Sequence, residues 1–298
     1  MEHLECMITG DPRGKSVTVC AAAITKSTVV AASDRMLTSG TGDIEFEPSI
    51  AKLHKLQDNV CIMIAGDITL QTDILYRVPE TLPTVPGISW SVKEVAEAYY
   101  RAFQESRMKI CERAILHPLG LDSAADLYLK GDLGTRLASD MLNYKVPHIE
   151  AIIAGYDTSG PHIYQVSNNG VTCQDWVGFA SIGAGCGHAN SQFMFAGHNR
   201  NCAIPETLML VYSAKKRAEV APGVGSATDM FFIDPPGKYY EVGEHVLNRL
   251  ELCYQGIRKS AEDAREAANG EINKFIAEIQ SVPDTDVDQS SNLDSFPA

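Results

Sequence analysis

Val17-Thr-Val-Cys-Ala-Ala-Ala-Ile24, Thr25-Lys-Ser-Thr28 and Val29-Val-Ala-Ala-Ser-Asp34 follow one another without interruption, and their reading decides the fold. Two β-prone apolar runs flank a short polar turn, which is the pattern of an antiparallel hairpin. With the turn centred between Lys26 and Ser27, position 18 falls opposite position 35, give or take one residue. Thr18 therefore opens one strand beside Asp34-Arg35, which closes the next.

A second hairpin follows. Ala51-Lys-Leu-His-Lys-Leu56 and Val60-Cys-Ile-Met-Ile-Ala-Gly66 flank the turn Gln57-Asp-Asn59. A helix is expected directly at its end, from Asp67 to Tyr76. The Gly- and acid-rich stretch between the hairpins, Thr38 to Pro48, reads as a loop. If the hairpins pack side by side, Lys52 opens the first strand of the second and Gly66 closes its partner at a helix N-terminus.

Further along, Ser91-Val-Lys-Glu94 is a capping box. Val92, Val95, Tyr99, Phe103, Ser106 and Ile110 then recur at helical steps, as far as the stop signal His117-Pro118 near Leu116. Residues 119 to 147 carry no decisive pattern. Strands are expected at 149–154, 162–166, 177–182, 230–233 and 239–242, and helices at 187–197 and 205–219. From His245 onward, Val246, Leu250, Tyr254, Ile257, Ala261 and Ala264 form one more helical stripe. Strands, helices, strands and helices in that order fit a layered sandwich built from antiparallel hairpins.

Composition narrows the function. Among 298 residues, 38 acidic side chains outnumber 25 basic ones, for a net charge of -13. A nucleic-acid surface needs clustered Lys and Arg, so no nucleic-acid partner is expected. No apolar run approaches the roughly 18–20 residues of a membrane helix, and the first sixteen residues do not resemble a signal peptide. No membrane association is expected, and the localisation read from the sequence is cytoplasmic. Eight scattered cysteines without a CxxC pair read as reduced thiols. Cys186, His188 and His198 lack the second ligand pair of a zinc site, so no metal and no cofactor are expected. The last eighteen residues, 281–298, hold four Asp and no Lys or Arg and read as a disordered acidic tail.

The two hairpins would bring a hydroxyl (Thr18), a carboxylate (Asp34), an ammonium (Lys52) and a glycine amide (Gly66) to one sheet edge. Those are the ingredients of nucleophilic acyl transfer: an oxygen nucleophile, charges that tune it and an N–H donor for the oxyanion. Each also has an ordinary structural reading as a strand threonine, a surface ion pair with Arg35, a solvated lysine or a turn glycine. Spacing alone leaves both readings open.

Thr18-Val-Cys20, Val30-Ala-Ala-Ser-Asp-Arg35, Ala51-Lys-Leu-His-Lys-Leu56 and Val60 to Gly66 together resemble the N-terminal half of proteasome-type subunits. Ile152-Ile-Ala-Gly-Tyr-Asp157 and Ala180-Ser-Ile-Gly-Ala-Gly185 resemble their later strands. The likeness spans about residues 17 to 235 and is nearest to bacterial proteasome relatives of the ancestral beta-subunit type, within the N-terminal-nucleophile hydrolases. It implies an α+β fold, a four-layer αββα sandwich of two antiparallel sheets flanked by helices. It also implies Thr18 as nucleophile, Asp34 as supporting carboxylate, Lys52 as the family lysine and Gly66 as the oxyanion glycine.

The domain organisation expected from this likeness is an extension or propeptide (1–17), the hydrolase domain (18–243), a C-terminal helix (244–280) and the acidic tail (281–298). Segment 117–148 would be an insertion. The implied function is a threonine-type peptidase acting on peptide or protein substrates and assembling as a homo-oligomeric ring or related structure. An ATP-dependent unfoldase partner is not identified by the sequence. Thr18 would be exposed either by self-cleavage after Val17 or by translation starting at residue 17, and Ser16 is a weaker nucleophile candidate. Where the family carries an auxiliary serine, this chain has Ala184; Glu219 and Ser226 lie in the region of its further helpers. Two other functions remain open: a non-catalytic structural subunit that keeps its extension, and an amidohydrolase of the same superfamily.

Overall fold

The computed structural model describes residues 18–38, 45–46, 52–82 and 89–281. The expected extension with Ser16, most of the 38–48 loop and the tail from 282 onward lie outside the described residues. The strands in chain order are β1 (Cys20–Ile24), β2 (Val29–Asp34), the two-residue β3 (Leu37–Thr38) and β4 (Glu45–Phe46), β5 (Leu53–Gln57) and β6 (Val60–Gly66). Helices α1 (Ile68–Thr81), α2 (Val92–Cys111) and α3 (Gly131–Asn143) follow. Next come β7 (Ile149–Asp157), β8 (Gly160–Ser167), β9 (Gly170–Cys173) and β10 (Phe179–Ile182). The remainder is α4 (Cys186–Phe195), α5 (Ile204–Ala218), β11 (Thr228–Asp234), β12 (Lys238–Glu241) and α6 (Glu244–Ser281).

Ten of these strands form two five-stranded antiparallel sheets, ordered β10-β1-β2-β11-β12 and β5-β6-β7-β8-β9, while β3 pairs with β4. Their facing sides interlock. Cys20, Ala22, Ile24, Val29, Ala31, Phe231 and Ile233 pack with Cys61, Met63, Ala65, Ile152, Ala154 and Ile163 in a dry core. The opposite face of the second sheet carries Ile62, Ile64, Ile149, Ile153 and Val166, covered by Ile74, Val95, Tyr99 and Phe103 of α1 and α2. Helices α4 and α5 cover the outer face of the first sheet. The result is an α+β fold, the four-layer sandwich expected. Strands buried on both faces explain why the sequence shows apolar runs here and not alternation. Each fully buried Ile or Met contributes roughly 1.5–3 kcal/mol.

Registers follow the turn chemistry. Cys20 pairs with Ser33 and Ile24 with Val29, so position 18 extends toward position 35 as expected. Asp67 is the N-cap of α1, its carboxylate accepting from Leu70 N at 2.8 Å. The Ser91–Glu94 capping box is formed in both directions. Several elements differ from expectation. The helix after the second hairpin runs to Thr81 and not Tyr76. Helix α2 passes into a π turn at 112–116 before the expected stop. The unassigned stretch holds a 3-10 turn at 124–130 and α3, with Leu137 and Met141 packed on Cys111 and Leu116. Gly-bounded β9 was not anticipated. Gly270 does not interrupt α6, which is helical from 244 to 281.

The chain divides after Leu247 into a compact unit that holds both sheets and a second unit whose described part is helical. No described helix is long and apolar enough to cross a membrane.

Candidate active site

Two residues before β1, Thr18 is 5% exposed, and its hydroxyl accepts a hydrogen bond from Lys52 Nζ at 2.7 Å. The same ammonium donates to Asp34 Oδ1 at 2.9 Å. Lys52 is 4% exposed and Asp34 fully buried, so this is a desolvated ion pair. Such a pair persists only when its remaining polar atoms are satisfied. Those of Asp34 are: Oδ1 also accepts from Val19 N at 3.0 Å, and Oδ2 accepts from Met36 N at 3.1 Å and Gly225 N at 3.0 Å. A fixed carboxylate therefore aims a fixed ammonium at the Thr18 oxygen.

The bland reading of Asp34-Arg35 as a local ion pair does not hold. Arg35 turns to Asp229 of β11, donating from Nε at 2.8 Å and again from its terminal nitrogen.

Gly66 ends β6 at the same rim. Its φ is +109°, and a Cβ there would lie 2.3 Å from the His148 carbonyl oxygen, so both the conformation and the space require glycine. Two contacts tie this rim to Thr18. Cys20 Sγ, two residues after Thr18, lies 3.6 Å from Ile64 O, two residues before Gly66. Glu150, paired with Ala65, reaches across the sandwich and accepts from Gly183 N at 2.9 Å. Gly183 in turn lies so close to Thr18 that a Cβ would meet its carbonyl oxygen at 2.3 Å.

The four residues expected from the sequence are thus gathered at one end of the two sheets. Thr18, Asp34 and Lys52 are in direct contact, and Gly66 is on the neighbouring strand end. Sequence reading missed the rest of the setting. Glu150 faces the inter-sheet space, and His148 Nε2 lies 3.8 Å from its Oε1, an ion-pair separation too long for a direct hydrogen bond. Burial alone would raise the Glu150 carboxyl, but His148 and the Gly183 N–H outweigh it and hold it below its ordinary value. Glu150 raises His148 reciprocally. The signal was present: Glu150 is the one acid in the apolar run Ile149 to Ala154. Glu219 and Ser226 do not reach Thr18 by a direct hydrogen bond; their oxygens accept from the buried Lys215.

A second constellation lies elsewhere. His162 Nδ1 is 2.6 Å from Asp175 Oδ2, and its Nε2 is 2.7 Å from Ser159 Oγ. The arrangement has the outline of a Ser-His-Asp triad, but the chemistry is wrong. Ser159 Oγ donates to Asp157 Oδ1 at 2.7 Å, and its own N–H is spent on the same oxygen. The Asp175 hydrogen bond raises the His162 pKa against the effect of burial, and the nearby Asp157 adds to the rise. It is a turn buttress. Among the described residues no group of three or more His, Cys, Asp and Glu is arranged to hold a metal ion.

A scan against protein-family models and a search of curated proteins each find no match. Among solved structures, the chain is similar to Anbu (ancestral beta-subunit) from Yersinia bercovieri. The TM-score is 0.58 and the identity 11%, over 91% of this chain and 100% of that one. At that identity the likeness shows the fold: this chain is a proteasome-like fold relative.

Proposed function

We propose that the protein is a threonine-type peptidase whose hydrolase domain, residues 18–243, works through Thr18 as an N-terminal nucleophile once residues 1–17 are removed. The observation that carries this reading is the Lys52 ammonium, bonded at once to Thr18 Oγ1 at 2.7 Å and Asp34 Oδ1 at 2.9 Å in a buried setting. A strand threonine with a structural role has no need of a desolvated cation on its hydroxyl.

In the proposed mechanism, Thr18 Oγ1 attacks the scissile carbonyl while the freed Thr18 α-amine takes the hydroxyl proton. That amine has an ordinary pKa of about 7.7–8.0, suited to a base near neutrality. Lys52 stabilises the developing alkoxide, Asp34 holds Lys52, and the Gly66 N–H faces the oxyanion. The proton passes to the leaving amine, an ester remains on Thr18, and water hydrolyses it. Self-assembly as a ring or related oligomer belongs to the same reading.

The experiment is intact-mass and N-terminal sequencing of untagged protein, followed by peptide hydrolysis assays. A chain beginning at Thr18 that hydrolyses peptides, with activity abolished by Thr18→Ala, is the expected result. Undiminished hydrolysis by Thr18→Ala would sink the assignment. One observation favours a second reading, a non-catalytic subunit: Ala184 stands where the family's auxiliary hydroxyl is expected. A chain that still carries residues 1–17 and is inert toward all peptides would support it.

A further inference from the structure

Lys215 occupies the buried side of α5, beside Val211, Ala214 and Ala218, and is 0% exposed. A lysine there is costly, because an ammonium taken out of water must find partners for all three of its hydrogens. It finds three acceptors: Glu219 Oε1 at 2.6 Å, Gly225 O at 2.9 Å and Ser226 O at 2.8 Å. Packing alone would be met by Met or Leu; only an extended cation can bind two successive carbonyls ten and eleven residues ahead. The turn it holds is the one whose Gly225 N–H donates to Asp34 Oδ2. Gly225 is thus gripped from both sides, its carbonyl by Lys215 and its N–H by Asp34. Burial lowers the Lys215 pKa and Glu219 opposes that.

We propose that Lys215 is a positioning residue for the Thr18 reaction: by fixing the 225–226 turn it supplies one of the four donors that orient Asp34, and through Asp34 it holds Lys52 on the nucleophile. The inference rests on the proposed peptidase reading. Without Lys215 the Gly225 amide is free to swing away, Oδ2 keeps only Met36 N, and the carboxylate can rotate off Lys52.

The test uses the processed full-length enzyme. Lys215→Met keeps length and volume and removes the charge. Its kcat should fall about 10- to 100-fold, the range for losing a hydrogen bond to a charged group, with KM within about twofold. Lys215→Arg, which retains N–H donors for the carbonyls, should recover part of the loss. Amide exchange at Gly225 supplies a readout independent of activity: protected in the wild type, it should exchange faster in Lys215→Met. Should Lys215→Met fail to fold, the wild type and Lys215→Arg still decide; rapid Gly225 exchange in the wild type overturns the proposal. So does a Lys215→Met enzyme with unchanged kcat, or one whose Gly225 amide stays protected. If no processed form hydrolyses any peptide, the peptidase reading fails on its own. The exchange data then still show whether Lys215 holds the turn against Asp34.

Discussion

Lys52 and Asp34 form an ion pair at 2.9 Å with 4% and 0% of their side chains exposed, and the same ammonium touches the hydroxyl of Thr18. A charge pair this deep contributes little net stability as a pair, yet is costly to break from one side. Its geometry, more than its energy, is what the surrounding donors maintain.

Replacing Lys52 by Met strands the Asp34 carboxylate in the interior. Unfolding free energy in urea should fall by roughly 3–5 kcal/mol. The double change Lys52→Met with Asp34→Asn, which removes the stranded charge and keeps an oxygen to accept from the backbone N–H groups, should recover part of that loss. Peptide hydrolysis by either variant should drop at least about 100-fold. A Lys52→Met protein as stable and as active as the wild type would contradict the buried-pair account.

Gly66→Ala meets two obstacles, a φ of +109° and the His148 carbonyl 2.3 Å from the new methyl. The expected destabilisation is about 1–3 kcal/mol, read from chemical denaturation. A neutral result would mean that β6 ends differently in solution.

Glu150→Gln keeps an oxygen for the Gly183 N–H but removes the charge that raises His148. The His148 imidazole should then titrate nearer its ordinary 6.5, followed by its ring proton resonances. In the wild type the pair's contribution is full between 4.5 and 6.5, is lost as pH rises through the raised His148 value, and is lost as pH falls through the lowered Glu150 value. An unchanged His148 titration in Glu150→Gln would show that the two side chains do not interact.

His162 gives the clearest pH signature in stability. Its hydrogen bond to Asp175, and then the nearby Asp157, raise its folded pKa above 6.5, so its contribution is complete below 6.5 and disappears as pH rises through the folded value. For Asp157 and Asp175, burial is outweighed by hydrogen bonds and by His162, which together depress both carboxyls. Their contribution is present above 3.8 and lost as pH falls through the folded values. The stability gap between wild type and His162→Gln should therefore narrow as pH rises above 6.5. A gap that stays constant from acid to alkaline pH would refute this linkage.

Much of the fold was legible because it rests on local signals. The Lys26-Ser27 turn sets the β1–β2 register, Asp67 and Ser91 begin their helices, and runs buried on both faces announce inner strands. The 119–147 stretch was not legible, because α3 packs in a small satellite cluster with Cys111, Leu116, Leu121 and Leu127 and its sequence mixes Gly and Asp among apolar positions. Of the site, Thr18, Asp34, Lys52 and Gly66 could be placed at one edge by hairpin geometry and family likeness. Glu150 and Lys215 could not, although each is an ionisable residue in an apolar pattern.

By itself the sequence determined the hairpins, the helix starts and the sandwich class, since turn residues, caps and apolar patterning act over a few neighbours. The tertiary structure alone decided which charges meet. Asp34 could have paired with adjacent Arg35, but sheet packing gives Arg35 to Asp229 and Asp34 to Lys52. Gly225, 191 residues away along the chain, completes the carboxylate's shell, and Lys215 holds Gly225 in place. Contacts of that separation depend on how layers stack, and burial makes the stacking selective, because an unpaired charge between two sheets costs more than any local preference can supply.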